Sequence, residues 1–221
     1  MEFFEYSLSI KDRIVDDFKT TLYMLFLSAI FAAIFGLILG IILVVTDRNR
    51  ILENKIVYSI LDKITNIFRS IPFIILLALV APLTKEIVDT RIGPKAAIVP
   101  LVVSTVPFFA RQVEQALAEV DPGVIEAAEA MGKSPFEIII SVYLREGLPN
   151  LIRAGAITLI SLLGLTAMAG LIGGGGIGDL AISVGYNRYK DDVVIVSVVL
   201  ILIVVFIIQA IANYLIRKTK H

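Results

Sequence analysis

The chain reads as an all-α, polytopic membrane protein with five transmembrane helices. Three observations predict this. Of its 221 residues 57% are hydrophobic, and the mean hydropathy is +0.89, too apolar for a soluble globule of one domain. Three uncharged runs, 20–46, 154–178 and 193–216, hold 27, 25 and 24 residues, each enough to cross about 30 Å of hydrocarbon as helix. Two shorter uncharged runs, 70–84 and 96–110, hold 15 residues each. At about 1.5 Å per residue they cover roughly 22 Å, so they must extend into charged flanks. The expected spans are 20–46, 56–83, 96–117, 154–176 and 193–216.

The elements follow in order. Residues 1–17 are acidic and amphipathic, without the early apolar core of a signal peptide, and are expected to lie outside or at the external interface. In the first span Gly36 and Gly40 have the spacing that permits close helix contact, although membrane helices also tolerate chance glycines. The second and third spans bring Asp62, Lys63, Arg69, Arg111 and Glu114 near a membrane edge, costly unless they face other helices, water or the interface. Pro72, Pro82, Pro100 and Pro107 predict kinks or breaks there.

The loop 121–149 writes its own boundaries. Asp121 suits an N-cap and Pro122 the first helical position. Gly132 suits the left-handed residue that ends a helix. Ser134, Pro135 and Glu137 have the spacing of a capping box that starts another, and Pro149 marks a later boundary. In the first short helix Val124, Ala127, Ala128 and Met131 fall on one side, Glu126 and Glu129 on the other. The same pattern suits a surface helix packed on its own bundle or a helix that enters a partner's groove.

The fourth span ends in a glycine run. Gly173-x-Gly175-x-x-Gly178 has the spelling of a dinucleotide fingerprint, but an apolar membrane run precedes it where a strand is required. An unwound helix end, with backbone near a substrate path or simply a loop, is the better reading.

Composition excludes several functions. Formal net charge is zero, so no basic field attracts nucleic acid. There is no cysteine, and the one histidine is His221, which leaves no thiolate or histidine cluster for a metal and no interior histidine for catalysis. No phosphate loop for ATP occurs. The three long runs carry no charge, against the usual build of a proton-coupled carrier. With the N-terminus outside, twelve Lys and Arg fall on the inner side, Arg48, Lys133 and Arg217 among them, and eight on the outer, Lys11, Arg91 and Arg188 among them. The positive-inside rule therefore puts the C-terminus and the 121–149 loop in the cytoplasm.

Glu126-Ala127-Ala128, Gly132 and then Val142-Tyr143-Leu144 resemble the "EAA" loop of binding-protein-dependent ABC importer permeases, from about Phe18 to Arg217. The chain departs from the pattern at its end, with Val142 for Ile and Arg145 where Pro is usual. Pro107-Phe108-Phe109-Ala110-Arg111, Glu146-Gly147-Leu148-Pro149 and the late glycine run resemble the methionine-import branch. The resemblance implies a type I ABC importer permease with a cytoplasmic coupling helix, in a bacterial cell membrane. It implies a second copy of the chain, two ATPase subunits that hold ATP and Mg, and an extracytoplasmic substrate-binding lipoprotein. This chain would hold no cofactor and make or break no covalent bond. Glu126, Ala127, Ala128, Gly132, Val142 and Leu144 would serve coupling. Ser104, Pro107, Met168, Gly173 and Gly175 would line the substrate path, although Ser104 and Met168 also suit plain packing. The rivals are a stand-alone secondary amino-acid transporter or channel, an intramembrane enzyme, and a non-transporting scaffold.

Overall fold

A backbone in hydrocarbon must satisfy its own hydrogen bonds, and in the computed structural model, which describes residues 4–219, helix follows helix along the chain. The first three residues of the N-terminal segment, Lys220 and His221 lie outside that range. The helices are α1 (Glu5–Ser9), α2 (Lys11–Thr46), α3 (Lys55–Ser70), α4 (Phe73–Val88), α5 (Pro94–Ala118), α6 (Pro122–Ala130), α7 (Pro135–Ile138), α8 (Leu144–Glu146), α9 (Leu148–Ala169), α10 (Ile177–Asp179) and α11 (Asp191–Thr219). Wider turns occupy Ile139–Tyr143, Gly170–Gly174 and Leu180–Tyr186.

Among the described residues four helical stretches are long and apolar enough to cross a membrane: Lys11–Thr46, Pro94–Ala118, Leu148–Gly174 and Asp191–Thr219. The pair α3 and α4 makes a fifth only when counted as one bent span. The span expected over 56–83 is thus two helices of 16 residues each, broken at one of the prolines expected to kink or break it. Pro72 is the reason: it has no N–H to return to the preceding turn, and it pushes Ile71 out of the helical region. Pro82 lies inside α4, and Pro100 and Pro107 inside α5, without ending those helices. Helix α2 starts nine residues before the expected 20, so much of the expected N-terminal segment belongs to it.

The chain divides into two compact units. The first comprises Met1–Phe31, Ile71–Ser104 and Leu159–Gln209. Met24, Leu25, Phe73, Leu101, Leu162 and Val204 form its main core, and Ile177, Leu180, Val184 and Val193 a smaller one. Here the chain folds back at the glycine run. Gly173, Gly175 and Gly176 have φ of +94°, +69° and +83°, open to glycine and strained for other residues. A Cβ on Gly178 would lie 2.2 Å from the carbonyl oxygen of Ala167. The buried Thr21 hydroxyl accepts the N–H of Ile177 at 2.8 Å. The helix expected through 176 therefore unwinds from Gly170, and 177–186 forms a separate short stretch.

The second unit comprises Ala32–Ser70, Thr105–Thr158 and Ala210–His221. Its core gathers Val44, Val113, Leu117, Ile125, Val142 and Tyr143. The Gly36 and Gly40 pair is used inside this unit. A Cβ on Gly40 would meet the Ala110 carbonyl oxygen at 2.6 Å and Val113 Cβ at 2.6 Å, and one on Gly36 would meet Phe109 at 2.8 Å. Absent side chains let α2 and α5 approach closely.

Candidate functional site

The loop 121–149 lies wholly in the second unit. Asp121 Oδ1 accepts the Gly123 N–H at 2.8 Å, and Pro122 fills the first helical position of α6, as their types dictate. At the other end Gly132 adopts φ +77°. Its N–H donates to the Glu129 carbonyl at 2.8 Å, and the Lys133 N–H donates to the Ala128 carbonyl at 3.2 Å. This two-bond closure is a Schellman turn. Ser134 and Glu137 form the expected capping box on α7. The Glu137 carboxyl is held below the ordinary carboxylate range by the Ser134 hydroxyl, then by the Ser134 N–H.

The expected apolar side of α6 divides in two. Ile125 and Ala128 are buried, 6% and 1% exposed, in the cluster with Leu117, Val120 and Tyr143. Ala128 therefore serves the chain's own core. Val124, Ala127 and Met131 face outward, Met131 at 70% exposure. Phe136, on α7, is equally exposed. Glu126 is exposed, and among the described residues it has no hydrogen-bond or ion-pair partner. The face left open thus combines apolar side chains with a free carboxylate. Val142 is buried and Leu144 half-buried against the same cluster, so both brace the loop from beneath. Where proline is usual, Arg145 lies in α8 without ending the helical path. Gly147 fits because a Cβ would lie 2.6 Å from Leu117 Cδ2 and from the Tyr143 carbonyl oxygen.

The five expected path residues are dispersed. Ser104 and Met168 are half-buried in the first unit, Met168 against its main core. Pro107 is buried in the second. Gly173 and Gly175 sit in the unwound stretch. A narrow crevice in the first unit is lined by Leu77, Thr84, Arg91, Pro100, Ala169 and Gly174, neighbours of the expected residues rather than the residues themselves.

One constellation was only partly legible. Asp62, Arg111 and Glu114 stood out as costly charges; in the structure they pair. Arg111 Nη1 donates to Glu114 Oε2 at 2.6 Å, and Nη2 pairs with Asp62 and bonds Asn66 Oδ1 at 3.2 Å. The Tyr58 hydroxyl donates to Glu114 Oε1 at 3.1 Å. Tyr58, Asp62 and Asn66 recur every four residues, one face of a helix; that spacing, read against Arg111 and Glu114, was the available signal.

Comparison with known proteins follows the same line. Residues 32–221 match the family model described as "Binding-protein-dependent transport system inner membrane component". The chain is 44% identical over 201 residues to a probable D-methionine transport system permease protein of Vibrio cholerae, covering 91% of this chain and 89% of that one. It is 48% identical over 172 residues to a methionine import system permease protein of Bacillus subtilis, covering 78% of each. A solved structure of an inward-facing methionine ABC transporter superposes with a TM-score of 0.93 at 43% identity, over 96% of this chain and 99% of that one.

Proposed function

The chain belongs to the family of binding-protein-dependent transport system inner membrane components, and from that membership we propose that it is the membrane-spanning permease of an ATP-driven methionine importer, for the L form, the D form or both. Two copies around a twofold axis form the translocation path, since one chain supplies too few crossings to enclose it. Two separate ATPase subunits hold ATP and Mg²⁺, and an extracytoplasmic binding protein delivers the amino acid. The N-terminus is external and the C-terminus cytoplasmic. Relatives named for methionine transport support the substrate.

The observation that carries the coupling role is the open face of α6. Val124, Ala127 and Met131 lie exposed beside an unpaired Glu126, on a helix capped at both ends and fixed to its unit through Ile125 and Ala128. An exposed apolar strip on a rigid, charged loop suits an amphipathic helix seated in a partner's groove. The small Ala127 allows close approach, and Glu126 supplies a polar anchor. ATP-driven closure of the ATPase pair then moves α6, and with it the unit that α6 is packed into. Ser104, Met168, Gly173 and Gly175 of the first unit, and Pro107 of the second, are the residues assigned to the path.

The test is reconstitution of the chain with the ATPase and binding protein of its own organism in sealed vesicles. The expected result is ATP-dependent accumulation of radiolabelled methionine, competed by unlabelled methionine but not by charged amino acids. Accumulation by the chain alone, or no ATPase in the purified complex, overturns the reading.

A further inference from the structure

Helix α3 is attached to its unit in an unusual way. Of its 16 residues only Thr65 is buried. Ile56, Ile60, Ile64 and Ile67 are 74%, 53%, 46% and 59% exposed, a stripe turned away from the unit. Among the described residues none of its side chains enters the hydrophobic cluster that joins α2, α5, α6 and α9. What ties α3 to α5 is polar: Tyr58, Asp62 and Asn66 against Arg111 and Glu114. The Arg111 guanidinium is shared. One nitrogen holds Glu114, three residues further along α5, and the other holds Asp62 and Asn66 across on α3. The Arg111 side chain is 13% exposed and those of Glu114 and Asp62 are 10% and 30%, so solvent screens the pairs weakly. Only a planar, forked cation can hold two carboxylates in fixed directions at once.

The other end of this connection is α6. Helix α5 ends at Ala118, three residues before the Asp121 cap. Phe109, Val113, Ala116, Leu117 and Val120 share one core with Ile125 and Ala128 of α6. Apolar packing therefore joins α6 to α5, and the Arg111 cluster joins α5 to α3.

We propose that Arg111 is a positioning residue that makes α3 follow α5, so that displacement of α6 reaches α3 through the Arg111–Asp62 link. This rests on the coupling role of α6 above. Asp62 and Arg111 lie outside the 121–149 loop, and their proposed role needs no contact with the ATPase or the substrate. With the link removed, α6 still docks and ATP is still hydrolysed, but α3 lags and solute moved per ATP falls. The cluster carries two carboxylates for one guanidinium, so Asp62→Asn cuts the ionic link between helices while leaving the neutral Arg111–Glu114 pair in place. Asp62→Glu keeps the link.

The experiment uses the full reconstituted importer and measures uptake and ATP hydrolysis in the same vesicles, with Lys63→Gln, an exposed neighbour on α3, as control. The expected result is a fall of about tenfold in uptake per ATP for Asp62→Asn, with subunit assembly and hydrolysis within twofold of the parent. Asp62→Glu and Lys63→Gln should keep at least half the parental ratio. An unchanged ratio in Asp62→Asn overturns the proposal, leaving the cluster as mere neutralisation of charge. Loss of assembly in Asp62→Asn, or an equal fall in Asp62→Glu, also overturns it, because the effect is then not the link. Failure of the unmutated assembly to couple uptake to ATP is a different outcome, which overturns the proposed function instead.

Discussion

Replacing Gly132 by alanine and by asparagine tests whether the end of α6 is held by backbone geometry. Gly132 has φ +77°, and a Cβ there meets nothing within 4 Å. Any side chain therefore fits in space, and the whole penalty is conformational. For alanine in the left-handed region it is about 1–2 kcal/mol; asparagine, whose side chain bonds locally, is penalised less. Against this strain stand the two bonds that close the turn, Gly132 to Glu129 and Lys133 to Ala128, together worth about 1–3 kcal/mol net. The two quantities are the same size. Alanine brings the final turn near balance between closed and frayed, and the frayed form releases Met131 from its place on the exposed strip. Titration of ATPase subunits onto the permease in nanodiscs should show affinity about 2- to 10-fold weaker for Gly132→Ala and within about twofold for Gly132→Asn, since about 1.4 kcal/mol is a factor of ten. Parental affinity in both variants would show that the turn does not position the docking face. Equal weakening in both would show that the extra atoms, not φ, are at fault.

Four other outcomes follow from the geometry. Ser134→Ala should cost about 1 kcal/mol, seen as faster amide exchange at 134–138. Because Glu137 has a lowered pKa in the folded box, its contribution is present above the ordinary carboxylate range and is lost as pH falls through the depressed value, so protection of the Ser134 amide should persist from pH 8 to 5 and fade under stronger acid. Gly40→Ala should lower the melting temperature in detergent, as overpacking against Ala110 and Val113 costs about 1–3 kcal/mol; Gly155→Ala, with nothing within 4 Å of its Cβ, should not. Ile125→Ala should destabilise by about 2–5 kcal/mol, whereas Val124→Ala, one residue away on the open face, should weaken ATPase binding and leave the melting temperature unchanged.

The loop was legible because its signals are local. An Asp-Pro start, a glycine stop and a Ser-Pro-x-Glu restart each act over three or four residues, and the structure realises all three. The long apolar runs were legible for the same reason. What failed depended on distant contacts. Apolar spacing on α6 grouped Val124, Ala127, Ala128 and Met131, but it cannot tell which edge of that group meets Leu117 and Tyr143; the core took Ala128 together with Ile125. The run through 178 carried no charge to mark an end, so the unwinding at Gly170 was hidden, and the close approach of Gly178 to Ala167 appears only once the chain has folded back. Asp62 and Arg111 lie 49 positions apart; the four-residue spacing of Tyr58, Asp62 and Asn66 marks a polar face but does not name the partner it meets. The Gly36 and Gly40 pair fits close packing equally well within one chain or between two; Phe109, Ala110 and Val113 decide for one.

A nine-residue helix such as α6 is too short to be stable by itself in water, yet a lever must not melt under load. Its stiffness is borrowed. The caps satisfy its end groups, and the burial of Ile125 and Ala128 gives it the rigidity of the core that holds Leu117, Val142 and Tyr143. That accounts for the chemistry of the loop's far end. Val142 and Leu144 lie under the helix, not on the docking face, and Gly147 admits the Leu117 side chain against the returning backbone. In the proposed coupling role, the residues offered to the ATPase and those that hold the helix in the core are therefore different sets, interleaved in one short sequence. In α3 the arrangement is reversed: little apolar burial and one shared guanidinium. An element packed through a broad apolar core moves only with that core. One held by a small polar cluster can be shifted, or left behind, by changing a member of that cluster.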